Sequence, residues 1–403
     1  MEHSRDWSGL IHEMLVEITK HISVVEDFMA FRGVCASWRS AATKDKFVNL
    51  SRGVPLLMLA EKEDSDEREF YSLSRRKTAM RIPLPEAKGR RCMEAGFGWF
   101  LTVSSSGEIN LLNPFSRSQI QLPGCTTFPD SEENHYHEDV RTFSFISRAA
   151  LSANPTHTSD IVVAVIYSAG SHSRAFALAF WRTGDLMWTG IEPTCTNSKY
   201  WWDVGFYSGK LFAINARGQV FGWDHGSSSS IVTRNKSSSS HERVAIANLY
   251  LTLDFDILLY RAAYLLESSS GELLVVTRDG VTVEDEDWSY GVTNFKVVRL
   301  DLINCVWEEI TTLGLDAIFV GHSLGISVVA SAFPDAIKPN CIYFSDDCVE
   351  AYSYSQERGK GGGRLGLGGG EDMGIYNFED GSIDRFSGIE SLSFICPPVW
   401  ISF

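Results

Sequence analysis

From residue 51 onward, the chain consists of short runs of Val, Ile, Phe, Tyr and Trp separated by Gly, Asn, Asp and Ser. No long stretch of this part repeats with the period of a helix, so the runs predict β-strands. Glycine turns such as Ser106-Gly107 and Arg217-Gly218 lie between neighbouring runs, as hairpin connections require. The sequence therefore predicts a mainly β domain over residues 51–403. The predicted strands are 54–59, 70–73, 99–103, 109–112, 161–166, 175–181, 210–214, 220–223, 264–266, 273–277, 295–300, 318–320, 326–330, 341–344 and 374–378.

The strand pairs recur as a repeated unit that ends in an aromatic or apolar anchor. Trp181 precedes Trp188 by seven residues, and Leu300 precedes Trp307 by the same seven. A four-strand unit that returns every ~40–50 residues is typical of a β-propeller, whose blades bury their faces by stacking around a channel. At that spacing the domain would hold about seven blades, with six or eight possible. A β-sandwich is the alternative, and the large number of strands disfavours it.

Closure of such a ring commonly combines strands from both ends of the domain, because this removes an exposed sheet edge. The apolar candidates here are residues 54–59 and 389–403. Three inserts between strands, at 61–69, 226–240 and 359–370, are charged, serine-rich and glycine-rich, so they predict loops. The glycine-rich insert lacks the Gly-Lys-Ser/Thr sequence that a phosphate-binding loop needs between a strand and a helix.

The first fifty residues have a helical pattern instead. Ser8 is a candidate N-cap for a first helix, and Gly33 is the expected joint between two later short helices. About forty residues cannot bury all of these apolar side chains against one another, so part of this surface is predicted to be an interface. The apolar residues at helical spacing are Leu10, Ile11, Met14, Leu15 and Ile18 in the first helix, and Phe28, Met29, Phe31, Val34, Cys35 and Trp38 beyond it.

This N-terminal pattern resembles an F-box, the adaptor-binding motif of SCF-type ubiquitin ligases. The spacing Arg32-x-Val34-Cys35-x-x-Trp38-Arg39 is the most specific part of the resemblance. The family usually has Leu-Pro at the start of the first helix, whereas Leu10 is followed by Ile11 here. An ordinary helical hairpin packed on the next domain is the alternative. The matching residues are Leu10, Glu13, Leu15, Ile18, Ile22, Phe28, Phe31, Arg32, Val34, Cys35, Trp38 and Arg39.

Several short segments of the β domain resemble the propeller of a large family of plant F-box proteins related to kelch-type propellers. This family carries an F-box and a propeller in that order, so the two resemblances support each other. Together they imply a helical F-box domain at 1–50 and a β-propeller domain at 51–403. These segments and single residues are 98–99, 111–115, 122–123, 203, 209–213, 267, 271–276 and 339–347.

The resemblance implies the substrate-recognition subunit of an SCF-type E3 ubiquitin ligase. Its F-box would bind a Skp-family adaptor that links to cullin, and its propeller would bind a target protein. It implies no catalytic residue, no cofactor and no metal in this chain. A propeller scaffold outside any ligase and a serine hydrolase are the alternatives. The expected adaptor-binding residues are Leu10, Ile11, Leu15, Ile18, Phe31, Val34 and Trp38.

Charge and cysteine content exclude several classes of partner and location. The net charge is −15, and the first fifty residues carry six Lys or Arg against seven Asp or Glu, so −14 lies in the rest. Such a surface disfavours nucleic acid and anionic membranes and favours a positively charged partner. The eight cysteines form no Cys-x-x-Cys pair and predict reduced thiols. The N-terminus lacks the apolar segment of a signal peptide, so we expect a cytoplasmic or nuclear protein.

The most suggestive catalytic motif is Gly321-His322-Ser323-Leu324-Gly325, which matches the nucleophile elbow of a hydrolase. In that fold the catalytic His follows the Ser, and none of the ten His residues lies after Ser323. The next residues, 326–330, are β-branched and predict a strand where the elbow requires a helix. The motif therefore predicts a glycine-flanked hairpin turn. His135 and His137, which lie among carboxylates, are a conceivable metal site but are interpreted as part of a loop.

Overall fold

The computed structural model describes residues 7–22, 25–43, 54–62, 64–129, 145–169, 175–191, 200–224, 259–283, 289–302, 304, 306–347, 369–386, 389, 391–393 and 395–402. In this part, three α-helices form an N-terminal module and 24 strands form six sheets. The helices are α1 (His12–Lys20), α2 (Val25–Val34) and α3 (Ala36–Ala41), after a single 3-10 turn at Trp7–Gly9.

The first three sheets each have four strands. The first contains β1 (Leu56–Met58), β2 (Glu67–Ser72), β3 (Lys77–Pro83) and, from the other end of the domain, β24 (Val399–Ile401). The second contains β4 (Arg90–Gly96), β5 (Trp99–Ser104), β6 (Ile109–Leu112) and β7 (Gln119–Leu122). The third contains β8 (Ile146–Leu151), β9 (Val162–Ala169), β10 (Ala175–Arg182) and β11 (Thr189–Ile191).

The described strands of the other three sheets follow the same chain order. The fourth sheet contains β12 (Trp201–Tyr207), β13 (Lys210–Asn215) and β14 (Val220–Asp224). The fifth contains β15 (Leu259–Glu267), β16 (Leu273–Val283), β17 (Ser289–Asp301) and β18 (Val306–Ile310). The sixth contains β19 (Asp316–Val320), β20 (Ile326–Val329), β21 (Cys341–Phe344), β22 (Gly374–Asn377) and β23 (Ile383–Arg385).

The sheets are the blades of a six-bladed β-propeller. One edge strand of each sheet contacts the edge strand of the next in the order β24, β4, β8, β12, β15 and β20, so these strands surround the central channel. The predicted mainly β propeller is confirmed, and six blades lie within the predicted range although seven were favoured. The long segments 225–258 and 348–368 lengthen the chain without adding a seventh described sheet.

The ring is closed by pairing between the two ends of the domain, as the sequence predicted. β1 and β24 are antiparallel, with Leu56 opposite Ile401 and Met58 opposite Val399. Trp400 in β24 is fully buried and its ring contacts Phe319 of the sixth sheet at a centroid distance of 5.1 Å. The last strand therefore joins the first sheet by backbone hydrogen bonds and the sixth sheet by packing.

The helical module has its own small core, formed by Leu15, Phe28, Phe31, Ala41 and Ala42. Two details differ from the prediction. Ser8 lies in the 3-10 turn, and the extended Ile11 is the N-cap of α1, without a capping side chain. α2 continues through Gly33, and the joint before α3 is the extended residue Cys35.

The module rests against the first sheet of the propeller. Met29 of α2 packs against the core cluster that contains Leu56, Met58 and Phe70. Asp27, also in α2, forms an ion pair with Arg75 in the turn between β2 and β3. These two contacts tie the module to the propeller at one position.

Candidate functional site

The helical module exposes a row of large apolar side chains. Met14 and Ile18 are 53% and 40% exposed on one face of α1, and Ile11 at its N-cap is 60% exposed. Trp7 in the preceding 3-10 turn and Val34 at the end of α2 are also more than half exposed. We call these five residues the apolar row. Monomeric proteins seldom leave so many large apolar side chains exposed on so short a segment, so the row is a candidate binding surface.

The residues predicted to bind an adaptor divide into three groups in the structure. Ile11, Ile18 and Val34 are exposed and belong to the apolar row. Leu10 and Trp38 are partly buried against the module core. Leu15 and Phe31 are buried in that core, at 0% and 6% exposure, so the structure places them where they hold the helices and not where a partner could touch them.

Sequence reasoning did not include Trp7 and Met14 among the site residues. Met14 lies on the same stripe as Ile11 and Ile18, so periodicity could have found it. Trp7 is held in place by a long-range contact, since the Trp38 indole Nε1 donates a hydrogen bond to the Trp7 carbonyl at 3.2 Å. The ring of Trp38 in turn packs on the ring of Phe31, with 4.4 Å between the ring centroids.

The two arginines of the N-terminal motif stabilise the ends of the helices. The Arg32 guanidinium donates to the carbonyl of Ala42, the residue that caps α3. Arg39 Nε donates to the carbonyl of Arg32 near the end of α2 at 3.2 Å. Carbonyls at helix ends lack partners within the helix, so each arginine satisfies a group that the helix leaves open. The two arginines of the motif are therefore explained by the fold of the module.

A set of buried ion pairs connects three blades of the propeller. Arg278 is completely buried and donates to Asp347 at 3.0 Å, to Asp372 at 2.6 Å and to the Ser345 carbonyl at 2.9 Å. Arg148 donates to the other oxygen of Asp347 at 2.6 Å. We call Arg148, Arg278, Asp347 and Asp372 the channel network. It connects the third, fifth and sixth sheets, so it holds these blades together.

One carboxyl group at the edge of this network has a pKa close to neutral pH. Burial raises the pKa of Asp203 to about 7, although Arg148 lies 3.7 Å away and favours the charged form. Asp203 also accepts a hydrogen bond from the Leu265 amide at 2.7 Å, which joins the fourth and fifth sheets. Each of these charged groups therefore contacts a group of another sheet.

The hydrolase-like motif forms a turn between two strands. β19 and β20 are antiparallel neighbours joined by residues 321–325, which confirms the predicted hairpin. Ser323 is 1% exposed, and its hydroxyl has no hydrogen-bond partner among the described residues. His322 is buried against Arg91, with 3.1 Å between Arg91 NH2 and His322 Nε2, and burial lowers its pKa well below the usual range. A strand follows where a nucleophile elbow requires a helix, so the geometry disfavours a serine hydrolase.

Comparison with known proteins identifies the family. The KIB1-4 beta-propeller family matches residues 70–377, which is about three quarters of the chain. The chain belongs to the KIB1-4 beta-propeller family.

Relatives of this KIB1-4 propeller are F-box proteins of Arabidopsis thaliana. The F-box protein SKIP23 is 22% identical over 98% of this chain and 96% of its own length. The F-box/kelch-repeat protein At1g57790 is 23% identical over 88% of both chains. F-box protein At2g26160 is 23% identical over 85% of this chain and 96% of its own length. The predicted resemblance to plant F-box proteins with a propeller is confirmed.

His135 and His137 lie outside the described residues. In the described ranges, no group of three or more His, Cys, Asp or Glu side chains is arranged to hold a metal ion. No helix among those residues is long and apolar enough to cross a membrane.

Proposed function

We propose that this protein is the substrate-recognition subunit of an SCF-type E3 ubiquitin ligase. The helical module would bind a Skp-family adaptor that links to cullin, and the propeller would bind the target protein. The observation that carries this proposal is the apolar row on a module whose relatives are F-box proteins. In this proposal residues 1–50 are the F-box domain and residues 51–403 the propeller domain.

The adaptor surface we propose is the apolar row, flanked by Leu10 and Trp38. Removing an Ile or Met side chain from water completely is worth about 1.5–3 kcal/mol. Because the five side chains are about half exposed, burying them against a partner would contribute several kcal/mol, enough to anchor a specific complex. Leu15 and Phe31 support binding indirectly, since they set the angle between α1 and the other helices.

The propeller is proposed to act through position and not through covalent chemistry. A ligase receptor raises the local concentration of target lysines near a ubiquitin-conjugating enzyme. This requires a fixed geometry between the adaptor surface and the target surface. The packing of Met29 and the ion pair of Asp27 with Arg75 provide such a fixed connection here.

The target is proposed to have a basic docking surface. The part of the chain after residue 50 carries a net charge of −14, which attracts positive partners and repels nucleic acid and anionic lipid. Binding residues in propellers lie on the loops that the rigid strands hold in place. We therefore expect the target to bind at a rim of the propeller, separate from the apolar row.

The test is binding of a purified Skp-family adaptor by isothermal titration calorimetry. Ile18→Asp and Met14→Asp should each weaken binding by about thirty-fold or more, because a carboxylate at the centre of an interface loses apolar burial and must be desolvated. Leu186→Asp is the matched control: it makes the same chemical change at a propeller residue that is 90% exposed and lies far along the chain from the module. It should leave adaptor binding unchanged.

Folding of each variant is checked by its thermal melt. The positions chosen are exposed, so the melts should match that of the wild type; Leu15→Asp would be a poor test because Leu15 is in the module core. Wild-type affinity in both Ile18→Asp and Met14→Asp would contradict the proposed adaptor surface. No binding by the wild-type protein would leave the alternative of a scaffold outside any ligase.

A further inference from the structure

Two cysteines from distant parts of the sequence meet where the ring closes. Cys92 lies in β4, the inner strand of the second sheet, and Cys396 lies three residues before β24. Both belong to the same buried cluster, at 2% and 0% exposure, and the two thiols interact with each other. Neither is part of a disulfide.

A buried arginine faces this pair. Arg68 in β2 is 2% exposed; its NH2 donates to the Ala87 carbonyl at 2.8 Å and to Glu61 at 3.1 Å. Its Nη1 has no hydrogen-bond partner among the described residues, and the charge of the guanidinium interacts with the Cys396 thiol. A buried cation beside a thiol favours the thiolate, which is the reactive form.

We propose that Cys92 and Cys396 are a redox site, and that a peroxide converts them to a disulfide that locks the propeller ring. The assignment rests on the contact between the two thiols, on the adjacent Arg68 charge and on the position of Cys396 just before the closing strand.

The reaction balances with hydrogen peroxide as the oxidant. The Cys396 thiolate attacks one peroxide oxygen, the O–O bond breaks, and the departing hydroxide takes up the Cys396 proton to become water. The sulfenic acid formed on Cys396 is then attacked by the Cys92 sulfur; the S–O bond breaks, and hydroxide leaves with the Cys92 proton as a second water. Two thiols lose two electrons, and peroxide gains them.

The two thiols are suited to different roles in this sequence. The hydrogen bond from Cys92 and then the charge of Arg68 lower the pKa of Cys396, which makes it the attacking thiolate. The hydrogen bond to Cys396 and then burial raise the pKa of Cys92, which makes it the resolving thiol. β24 contains three residues, and we expect peroxide to enter when this short strand opens locally.

The disulfide would join residues that are about three hundred positions apart in the chain. A cross-link that closes so large a loop restricts the unfolded chain strongly. It would also attach the segment before β24 covalently to the second sheet, while β24 itself pairs with the first. The oxidised ring should therefore open less readily than the reduced ring.

The test compares full-length protein after treatment with hydrogen peroxide or with dithiothreitol. Free thiols are blocked with iodoacetamide, and the products are mapped by mass spectrometry without reduction. We expect a cross-linked peptide pair containing Cys92 and Cys396. The melting temperature should rise by about 5 °C or more on oxidation and return after dithiothreitol.

Cys125 provides the matched control. It is as buried as Cys92, but burial raises its pKa to about 12, so its thiol stays protonated. Cys125→Ser should keep both the cross-link and the rise in melting temperature, whereas Cys92→Ser and Cys396→Ser should lose both.

Two results would overturn the proposal. One is a wild-type peptide map without the cross-link at a peroxide concentration that oxidises the partly exposed Cys35. The other is an equal rise in melting temperature in Cys92→Ser. If a serine variant does not fold, the wild-type map alone decides, because it requires no substitution.

Discussion

The Ser402 hydroxyl donates a hydrogen bond to the Glu94 carboxylate at 2.9 Å, across 308 positions of sequence. Glu94 also accepts, through its backbone carbonyl, the amide of Leu324 at 3.3 Å. One residue of the second sheet therefore contacts both the end of the closing strand and the turn of the sixth sheet. The ring is closed at this point by backbone pairing, by packing of Trp400 and by this carboxylate.

Glu94 should make stability depend on pH. Burial raises its pKa from 4.5 to about 7, so the folded protein holds a proton that the unfolded chain releases between these values. The stabilisation is present below pH 4.5 and is lost as the pH rises through about 7. Its full extent is about 3 kcal/mol. Asp203 contributes with the same sign, because its pKa is also raised to about 7.

The measurement is the free energy of unfolding of the wild type and of Glu94→Gln, by urea denaturation from pH 5 to pH 8. The wild-type value should fall relative to that of Glu94→Gln as the pH rises. Glu108→Gln, a change at an exposed glutamate near the same sheet, should run parallel to the wild type. A difference between Glu94→Gln and the wild type that does not vary with pH would refute the prediction.

Loss of the closing strand should open the ring. Removal of residues 389–403 exposes the edge of β1, and exposed edges promote aggregation. Trp400→Ala is the milder change and should cost about 3–5 kcal/mol, because Trp400 is fully buried. Size-exclusion chromatography and thermal melts report both effects. Removal of residues 1–50 should leave a soluble propeller; a soluble C-terminal truncation with a cooperative melt would argue against closure.

Removal of Arg278 should destabilise the propeller. Arg278→Met leaves the buried carboxylates of Asp347 and Asp372 with one cation fewer each, and breaking a buried ion pair costs about 3–5 kcal/mol. Urea midpoints measure the effect. Arg182→Ala breaks an exposed pair with Asp160 and should leave the midpoint unchanged. Equal midpoints for Arg278→Met and the wild type would show that the channel network is dispensable.

Ser323 should be unreactive. A fluorophosphonate probe should fail to label it, because its side chain is 1% exposed and the described structure provides no histidine base for it. Ser323→Ala should leave the melting temperature unchanged or raise it, since it removes a buried hydroxyl that lacks a partner. Stoichiometric labelling at Ser323 would restore the hydrolase alternative.

The target should associate more slowly as salt increases. The acidic propeller attracts a basic partner by electrostatic forces. Salt screens these forces beyond roughly 8 Å at physiological ionic strength. Once a target is known, stopped-flow association rates across a salt series test this. A rate that is indifferent to salt would remove the basic-partner claim and leave the adaptor proposal standing.

Three inner strands that the sequence missed share one physical property. Each predicted run overlaps a strand, because apolar alternation marks segments that pack between sheets. The inner strands β4, β8 and β12 were missed. They carry Arg91, Arg148 and Asp203, which are buried in the channel and interrupt the apolar pattern. Their partners lie in other blades, so no local pattern could indicate that these charges are inside.

The candidate site was predictable in outline and not in detail. Periodicity placed Ile11, Leu15 and Ile18 on one stripe of a helix. It could not say which edge of the stripe faces the module core, because that depends on where α2 and α3 pack. Leu15 is buried for this reason, while Ile11 and Ile18 remain exposed. The pairing of Cys92 with Cys396 was equally hidden, since it depends on ring closure.

The position of β24 also affects folding during synthesis. β1 is made early, but its partner β24 follows about 340 residues later. At translation rates of about 5–20 residues per second, β1 waits roughly 20–70 s on the ribosome with one edge unpaired. Five blades can form in that time, but the first cannot be completed. A nascent chain of this protein should therefore depend on chaperones until its last strand emerges.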